Sequence, residues 1–167
     1  MVRPPDVHDH GPGPSHPPYP AGLLLVGRRV VVVGGGRVAR RRIRTLLEAG
    51  ARVHVVAPDV LDEIRDHVRH GRVSLAERGY VAGDLDGAWY AMAATDDPSV
   101  NEAVVAEAEG ARMFCVRADD ALRGTAWTPA SGHHGAITVA VMANRDPETA
   151  AATRDTLMRA LEDGAGG

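Results

Sequence analysis

Short apolar segments alternate with longer amphipathic ones through the first two thirds of the chain. Residues 29–33 are mostly β-branched, too few for a helix and too apolar for a half-exposed strand, so they predict a buried parallel strand. The same reasoning predicts strands at 52–57, 73–75, 89–94 and 113–116. Between them, apolar residues recur at helical spacing, with one helix opening at Pro58-Asp59 and another capped by Asp97. This alternation predicts an α/β fold with a doubly wound parallel sheet.

The pattern changes after Val116. Residues 126–128 and 136–142 predict strands with no helix between them, and a last helix is predicted to begin at Asp146-Pro147-Glu148, with Asp146 as its cap. Its apolar face consists of Ala150, Leu157 and Leu161. This final third is too small to bury a core of its own, so we expect a small α+β segment that packs against another surface.

Residues 1–21 are rich in proline and histidine and predict a disordered tail, followed by one domain over 22–120 and the small segment over 121–167. His8, His10 and His16 have a spacing that can collect a metal ion or can be incidental. Their proline- and glycine-rich surroundings favour the incidental interpretation, and no metal site is predicted.

Composition narrows the possible functions of the 167-residue chain. A net charge of −3 does not suggest nucleic-acid binding, and the absence of lysine excludes Schiff-base chemistry and a P-loop. Cys115 is the only cysteine, which excludes an internal disulfide, and mid-strand it is expected to be a buried small hydrophobe. With neither a long apolar span nor an apolar leader, the expected location is cytoplasmic.

A glycine motif follows the first predicted strand directly. Gly34-Gly35-Gly36-Arg37-Val38-Ala39 matches G-x-G-x-x-A and opens a helix, which is the arrangement of a dinucleotide-binding Rossmann fold. Gly34 allows the tight turn, Gly36 lets the backbone approach a pyrophosphate, and Ala39 allows close packing of helix on strand. The alternative is a plain tight turn, for which three adjacent glycines are costly.

The second strand ends without the acidic residue that usually binds the adenosine ribose. Ala57-Pro58 occupies that place and Asp59 follows, so Asp59 either reaches the ribose or caps the helix that it opens. No arginine stands at the strand end to receive a 2′-phosphate, which favours NAD over NADP. Of the arginines on the first helix, Arg37 is expected near the phosphates.

Four segments together resemble the dehydrogenase module of siroheme synthase, the precorrin-2 dehydrogenase and sirohydrochlorin ferrochelatase family. They are Gly27 to Ala39; Glu48 to Ala51 with Val55 to Asp59; Gly83-Asp84-Leu85 with Ala93 to Asp97 and Val100-Asn101; and Phe114-Cys115 leading into Asp119-Asp120. The resemblance covers roughly residues 22–147. The third segment is the most specific, since many Rossmann domains share the first.

The resemblance implies that NAD⁺ accepts a hydride from precorrin-2 while a base removes a proton, giving sirohydrochlorin. It assigns the catalytic carboxylate to Asp119, which otherwise reads as a turn residue, and it implies cofactor contacts of Gly34, Gly35, Gly36, Arg37, Val38, Pro58, Asp59, Thr95 and Asp96. Thr95 and Asp96 can alternatively belong to the cap of the next helix. Both roles are compatible.

Precorrin-2 carries many carboxylates, so its pocket needs cations. The candidates are Arg117, Arg123, His133 and His134, although His133-His134 between glycines also fits an exposed hairpin turn. Val116 stands where the family usually has asparagine, and residues 142–145 lack its serine- and glycine-rich stretch. The helical region of longer members is absent, which argues against ferrochelatase activity.

The resemblance also suggests that the last segment builds a homodimer whose substrate pockets are completed by the partner chain. Many relatives are fused to a uroporphyrinogen methyltransferase, so a fused or separate methyltransferase is a further expected partner. The competing hypothesis is a non-catalytic NAD-sensing module, which has no need of a carboxylate at Asp119.

Overall fold

Strands and helices alternate along the first part of the chain, as the apolar pattern predicts. The computed structural model describes residues 17–143 and 146–164. Its elements in this part are β1 (Arg29–Val33), α1 (Arg37–Glu48), β2 (Arg52–Val56), α2 (Asp62–Arg69), β3 (Val73–Ala76), β4 (Tyr90–Ala93), α3 (Pro98–Gly110) and β5 (Phe114–Arg117). Residues 17–21 are exposed and lie outside any helix or strand. The rest of the predicted tail, including its three histidines, lies outside the described residues.

The strands form a five-stranded parallel sheet in the order β3-β2-β1-β4-β5. Its two faces are buried in separate cores, because alternate residues of β1 point to opposite sides. Val30 and Val32 pack with α1 and α2, whereas Val31 and Val33 pack with α3. The predicted α/β class and the doubly wound sheet are confirmed, with helices covering both faces.

In this part of the chain the glycine and aspartate residues predict the helix ends correctly, with one exception. Asp97 caps α3 by accepting the N–H of Ser99 at 2.8 Å, and Gly50 follows α1 with a left-handed φ of 74°. The predicted start of the second helix at Pro58-Asp59 is wrong by about one turn. In the structure α2 begins at Asp62, with Leu61 as its N-cap residue. The Leu61 N–H donates to the Gly35 carbonyl at 3.1 Å, which ties the residue before α2 to the glycine turn.

A second compact unit begins at Trp127, so residues 121–126, which the sequence pattern places in the final segment, belong to the first unit. The second unit contains β6 (Ala130–His134), β7 (Ile137–Val141) and α4 (Pro147–Gly164). Its two strands form an antiparallel hairpin turning at Gly135. Asp146 caps α4 as predicted, accepting the Thr149 N–H at 2.9 Å.

The first strand of this hairpin lies later in the chain than the sequence pattern predicts. At 126–128 the described chain has only a single bridge of Ala126 to Val116, and the strand is instead Ala130–His134. Gly132 makes this segment look like a turn, yet a Cβ there would stand 2.8 Å from the Met158 sulfur. Met158 of α4 therefore packs closely on this glycine. On the predicted apolar face of α4, Ala150 is buried and Leu157 is 45% exposed.

The loop before β4, which includes Gly83-Asp84-Leu85, is anchored by one carboxylate of α3. Glu107 accepts the backbone N–H groups of Gly83 and Leu85 at 3.0 Å each, and also the Tyr80 hydroxyl. Burial and the Glu107 carboxylate raise the pKa of Tyr80 above its usual value, which keeps this hydroxyl a donor. The most family-specific segment of the sequence is thus held by long-range hydrogen bonds.

We expect Glu107→Ala to lower the free energy of unfolding by about 1–3 kcal/mol, because the part-buried Leu85 N–H and Tyr80 hydroxyl lose their acceptor. Urea denaturation at neutral pH measures this change. Glu109→Ala is the matched control, since Glu109 lies on the same helix with an exposed side chain. Equal stability of the two variants would show that the loop does not depend on Glu107.

Candidate cofactor-binding and active site

The predicted cofactor-binding and catalytic residues lie in or next to loops that leave the parallel sheet at its carboxyl edge, and three of these loops come from neighbouring strands. The glycine segment follows β1, Thr95 follows β4 and Asp119 follows β5. Because β1, β4 and β5 are adjacent and parallel, their carboxyl ends lie side by side. In open α/β sheets this edge is where ligands bind.

Each glycine of the turn after β1 has a different environment. Gly34 has a left-handed φ of 120°, and a Cβ there would overlap the Ala94 carbonyl. At Gly35 a Cβ would overlap the Asp59 carbonyl and stand 2.8 Å from the Val60 Cα. Gly36, in contrast, has no heavy atom within 4 Å of the Cβ position. Two glycines therefore close the turn, and the third leaves open space beside the backbone.

That open space lies at the N-terminus of α1. Gly36 is the N-cap residue and supplies no side-chain acceptor, and the first turn has no acidic residue. The first-turn N–H groups have no acceptor within the helix, so they are available to an anion and add to the positive end of the helix dipole. Arg37 and Val38 are exposed there, while Ala39 is fully buried against the sheet. These features fit a dinucleotide pyrophosphate.

The loop after β2 places Pro58 and Asp59 at the surface. The Asp59 side chain is 92% exposed and accepts its neighbour's Val60 N–H at 2.9 Å. It does not cap α2, so the capping alternative is wrong. An arginine that the sequence did not suggest lies beside it, since Arg65 of α2 comes within 3.7 Å of the Asp59 carboxylate.

Thr95 belongs to a small hydrogen-bonded unit with Asn101 of α3, whose side chain is completely buried. The side-chain oxygen Oδ1 of Asn101 accepts the Thr95 N–H at 3.1 Å and the Thr95 hydroxyl at 2.8 Å. The side-chain Nδ2 of Asn101 donates to the Thr95 backbone carbonyl at 3.0 Å. Thr95 also takes part in the helix cap, because its hydroxyl oxygen accepts the Asp97 N–H. Asp96 is exposed.

Asp119 is held by a buried guanidinium. Arg117 is only 3% exposed, and its Nε and Nη2 donate to the two Asp119 carboxylate oxygens at 2.9 and 3.1 Å. It also donates to Glu102 at 2.8 Å and to the Pro98 carbonyl at 3.2 Å. The Arg117 hydrogen bonds hold the pKa of Asp119 below its usual range, with a smaller contribution from Asn101. Asp119 is therefore an ionised carboxylate, fixed in orientation by a bidentate pair.

The predicted cations occupy different positions. Arg117 is committed to Asp119 and Glu102, whereas the Arg123 side chain is 45% exposed and shares the same Glu102 oxygen. His133 and His134 belong to the second unit, at the end of β6 next to the hairpin turn. His133 forms a hydrogen bond with the Thr138 hydroxyl at 3.0 Å.

Sequence reasoning missed the supporting residues of this edge: Asn101, Glu102 and Arg65. Asn101 had a signal, because it lies on the helix face that also contains Val104, Val105 and Ala108, all buried. A polar residue on such a face must have hydrogen-bond partners. The partners of Glu102 and Arg65 come from other elements, and no local pattern indicates them.

The described ranges, 17–143 and 146–164, contain no group of three or more metal-ligating side chains. No helix within them has the length and apolar character to cross a membrane. Cys115 is buried as predicted, and burial raises the pKa of its thiol to about 12.

Comparisons with known proteins agree with this geometry. A family profile described as NAD(P)-binding matches residues 23–130. The siroheme synthase of Chromobacterium violaceum is 40% identical over 123 residues, which cover 74% of this chain and 26% of that protein. The siroheme synthase of Azotobacter vinelandii is 49% identical over 84 residues, covering 50% and 18%. The matched part is thus about a quarter or less of each of these relatives.

Among solved structures, SirC, a precorrin-2 dehydrogenase, aligns with a TM-score of 0.72 and 29% identity, covering 83% of this chain and 69% of that one. The resemblance seen in the sequence is confirmed by these matches. The chain belongs to the NAD(P)-binding family that includes the N-terminal module of siroheme synthase.

Proposed function

We propose that this protein oxidises precorrin-2 to sirohydrochlorin, with NAD⁺ as the hydride acceptor. The observation that carries the proposal is Asp119, an ionised carboxylate fixed by a buried arginine at the sheet edge that also carries the glycine turn. The similarity to siroheme synthases and to SirC supports the choice of substrate. A module that only senses the nucleotide would not need a carboxylate at this position.

The glycine turn and the N-terminus of α1 are proposed to hold the dinucleotide. Gly36 leaves room for the pyrophosphate, and the first-turn N–H groups and Arg37 provide positive charge. Val38 and Thr95 would border the nucleotide, and Pro58 and Asp59 would lie at its adenosine end. When bound, NAD⁺ supplies the hydride acceptor.

Asp119 is proposed to take the proton that precorrin-2 loses. With its pKa held below the usual range by Arg117, Asp119 is a weak base. Such a base is sufficient here, because removal of a hydride leaves a cationic macrocycle whose remaining proton is acidic. Arg117 then acts as a positioning residue that fixes Asp119, in place of the predicted contact with the substrate.

The substrate carboxylates need other cations. Arg123 is the candidate in the first unit, since its side chain is 45% exposed and pairs with the exposed carboxylate of Glu102. We keep His133 and His134 as proposed substrate contacts from the second unit. Asp96 is exposed next to Thr95 and stays a proposed cofactor contact.

The second unit is proposed to form a homodimer interface. The apolar residue Ile137 on β7 is 48% exposed and Leu157 on α4 is 45% exposed, so this small unit leaves apolar surface uncovered. The matched segments cover only 26% and 18% of the siroheme synthases, which leaves room in those relatives for a further domain and supports a methyltransferase, fused or separate, as a functional partner. A cytoplasmic location also stays a prediction.

The test is a turnover assay under anaerobic conditions with purified protein, precorrin-2 and NAD⁺. We expect the absorbance of NADH to appear together with one equivalent of sirohydrochlorin. Omission of precorrin-2 is the control for background reduction. If the protein binds NAD⁺ but forms no NADH, the dehydrogenase proposal is wrong and the NAD-sensing alternative is favoured.

A further inference from the structure

An arginine lies between two carboxylates at the end of the sheet where the adenosine half of a dinucleotide is proposed to bind. Asp59 follows β2 and Glu77 directly follows β3, and these neighbouring parallel strands are paired up to Val56 and Ala76. Both acidic residues are therefore at the carboxyl edge. Arg65 of α2 donates to Glu77 at 2.8 Å and stands 3.7 Å from Asp59.

The arrangement determines the charge that a nucleotide meets there. An arginine in this region of a dinucleotide fold accommodates the 2′-phosphate of NADP, whereas an acidic residue accepts a hydrogen bond from the 2′-hydroxyl of NAD. Here one guanidinium is shared by two carboxylates, which leaves an excess of negative charge. Such a group repels a 2′-phosphate, and the Glu77 bond holds the guanidinium away from it.

The three side chains are all accessible to a ligand. The exposed fractions are 35% for Arg65, 50% for Glu77 and 92% for Asp59. Because Asp59 is extensively exposed and Arg65 bonds more closely to Glu77 than to Asp59, the Asp59 carboxylate retains acceptor capacity for a ribose hydroxyl. Glu77 is the residue that keeps Arg65 occupied.

We propose that Glu77 determines the nucleotide preference of this protein by holding Arg65, so that dinucleotides with a free 2′-hydroxyl are selected over those with a 2′-phosphate. This inference rests on the proposed dinucleotide site. It adds a specificity-determining pair, Arg65 and Glu77, that lies outside the glycine motif.

Calorimetric titration with NAD⁺ and with NADP⁺ tests the proposal in the absence of precorrin-2. For Glu77→Gln we expect NADP⁺ to bind about tenfold more tightly, which corresponds to about 1.4 kcal/mol, while NAD⁺ affinity stays near that of the wild type. Adding Arg65→Gln to this variant should abolish the gain. Thermal unfolding of each variant verifies that the surface changes leave the fold intact.

Glu63→Gln is the matched control, since Glu63 also forms an exposed ion pair of α2, with Arg40 at 2.6 Å, and has a similar exposed fraction of 55%. It should leave both affinities unchanged. An unchanged ratio of affinities in Glu77→Gln, or a gain that survives removal of Arg65, would overturn the inference while the dinucleotide site stands. Failure of the wild type to bind either nucleotide would overturn both, and loss of precorrin-2 turnover alone would affect only the proposed reaction.

Discussion

Asp119→Asn is expected to reduce the turnover number for precorrin-2 oxidation by about 100- to 10,000-fold, the usual contribution of a positioned acid–base group. The affinity for NAD⁺ should change little, because the proposed nucleotide contacts lie in the loops after β1, β2 and β4 and at the start of α1. The amide keeps the shape of the carboxylate but is a far weaker proton acceptor. Turnover measured by NADH absorbance, together with calorimetric binding of NAD⁺, separates the two effects.

The same substitution has a predictable effect on stability. It removes a bidentate bond to buried Arg117, so the free energy of unfolding should fall by about 1–3 kcal/mol at neutral pH. The folded-state pKa of Asp119 lies below its usual value of about 3.9. A carboxyl group of this kind stabilises the fold above its unfolded-state pKa and loses this contribution as pH falls through the folded-state value. The difference between wild type and variant should therefore persist from neutral pH to about pH 4 and disappear below it.

Asp120→Asn is the control for a neighbouring carboxylate with a local role. Asp120 accepts the Leu122 N–H at 3.1 Å in the short 3₁₀ turn Ala121–Arg123 and lies next to Asp119 in sequence. This variant should retain turnover. If Asp119→Asn turns over like the wild type, Asp119 has no part in proton transfer, although the dehydrogenase proposal survives.

The parts of this structure that could be predicted from sequence are those governed by local rules. The run Arg29–Val33 followed by glycines predicts a buried strand and a tight turn, and both are present, while phosphate binding by the turn stays a prediction. Asp97 and Asp146 cap helices because the capping bond forms within three residues. Asp119 follows the fifth predicted strand, which places it at the carboxyl edge of a parallel sheet, but only the family resemblance assigns it a catalytic role.

The remaining features depend on contacts between distant residues. In the sequence Gly132 resembles a turn residue, but in the structure it lies in β6 with the Met158 side chain of α4 packed against it. The residue before α2, Leu61, donates its N–H to the carbonyl of Gly35, which is far away in sequence. Arg65 was not a candidate for the adenosine end, since only the pairing of β2 with β3 brings Glu77 and Asp59 to the same edge. Single-sequence patterns contain none of these pairings.

Two adjacent glycines of the turn after β1, Gly35 and Gly36, should respond differently to the same added methyl group. Gly35→Ala places a Cβ against the Asp59 carbonyl and 2.8 Å from both Cα and Cγ1 of Val60. Backbone cannot yield as a flexible side chain does, so we expect a loss of at least about 1–3 kcal/mol in the free energy of unfolding. Gly36→Ala meets no heavy atom within 4 Å, and its φ of −84° is open to alanine. Its stability should fall only by the small N-cap preference for glycine.

For NAD⁺ binding, by contrast, Gly36→Ala is the variant with the larger expected effect. The methyl group of Gly36→Ala occupies the space through which the backbone is proposed to approach the pyrophosphate, so the dissociation constant of NAD⁺ should rise by about tenfold or more. Thermal unfolding and calorimetric titration of NAD⁺ measure both quantities on the same samples. Gly79→Ala is the control, because a Cβ there also meets nothing within 4 Å and the residue lies away from the turn. Wild-type affinity in Gly36→Ala would mean that the pyrophosphate does not pass this glycine, because a methyl group at this position cannot leave such a close approach undisturbed.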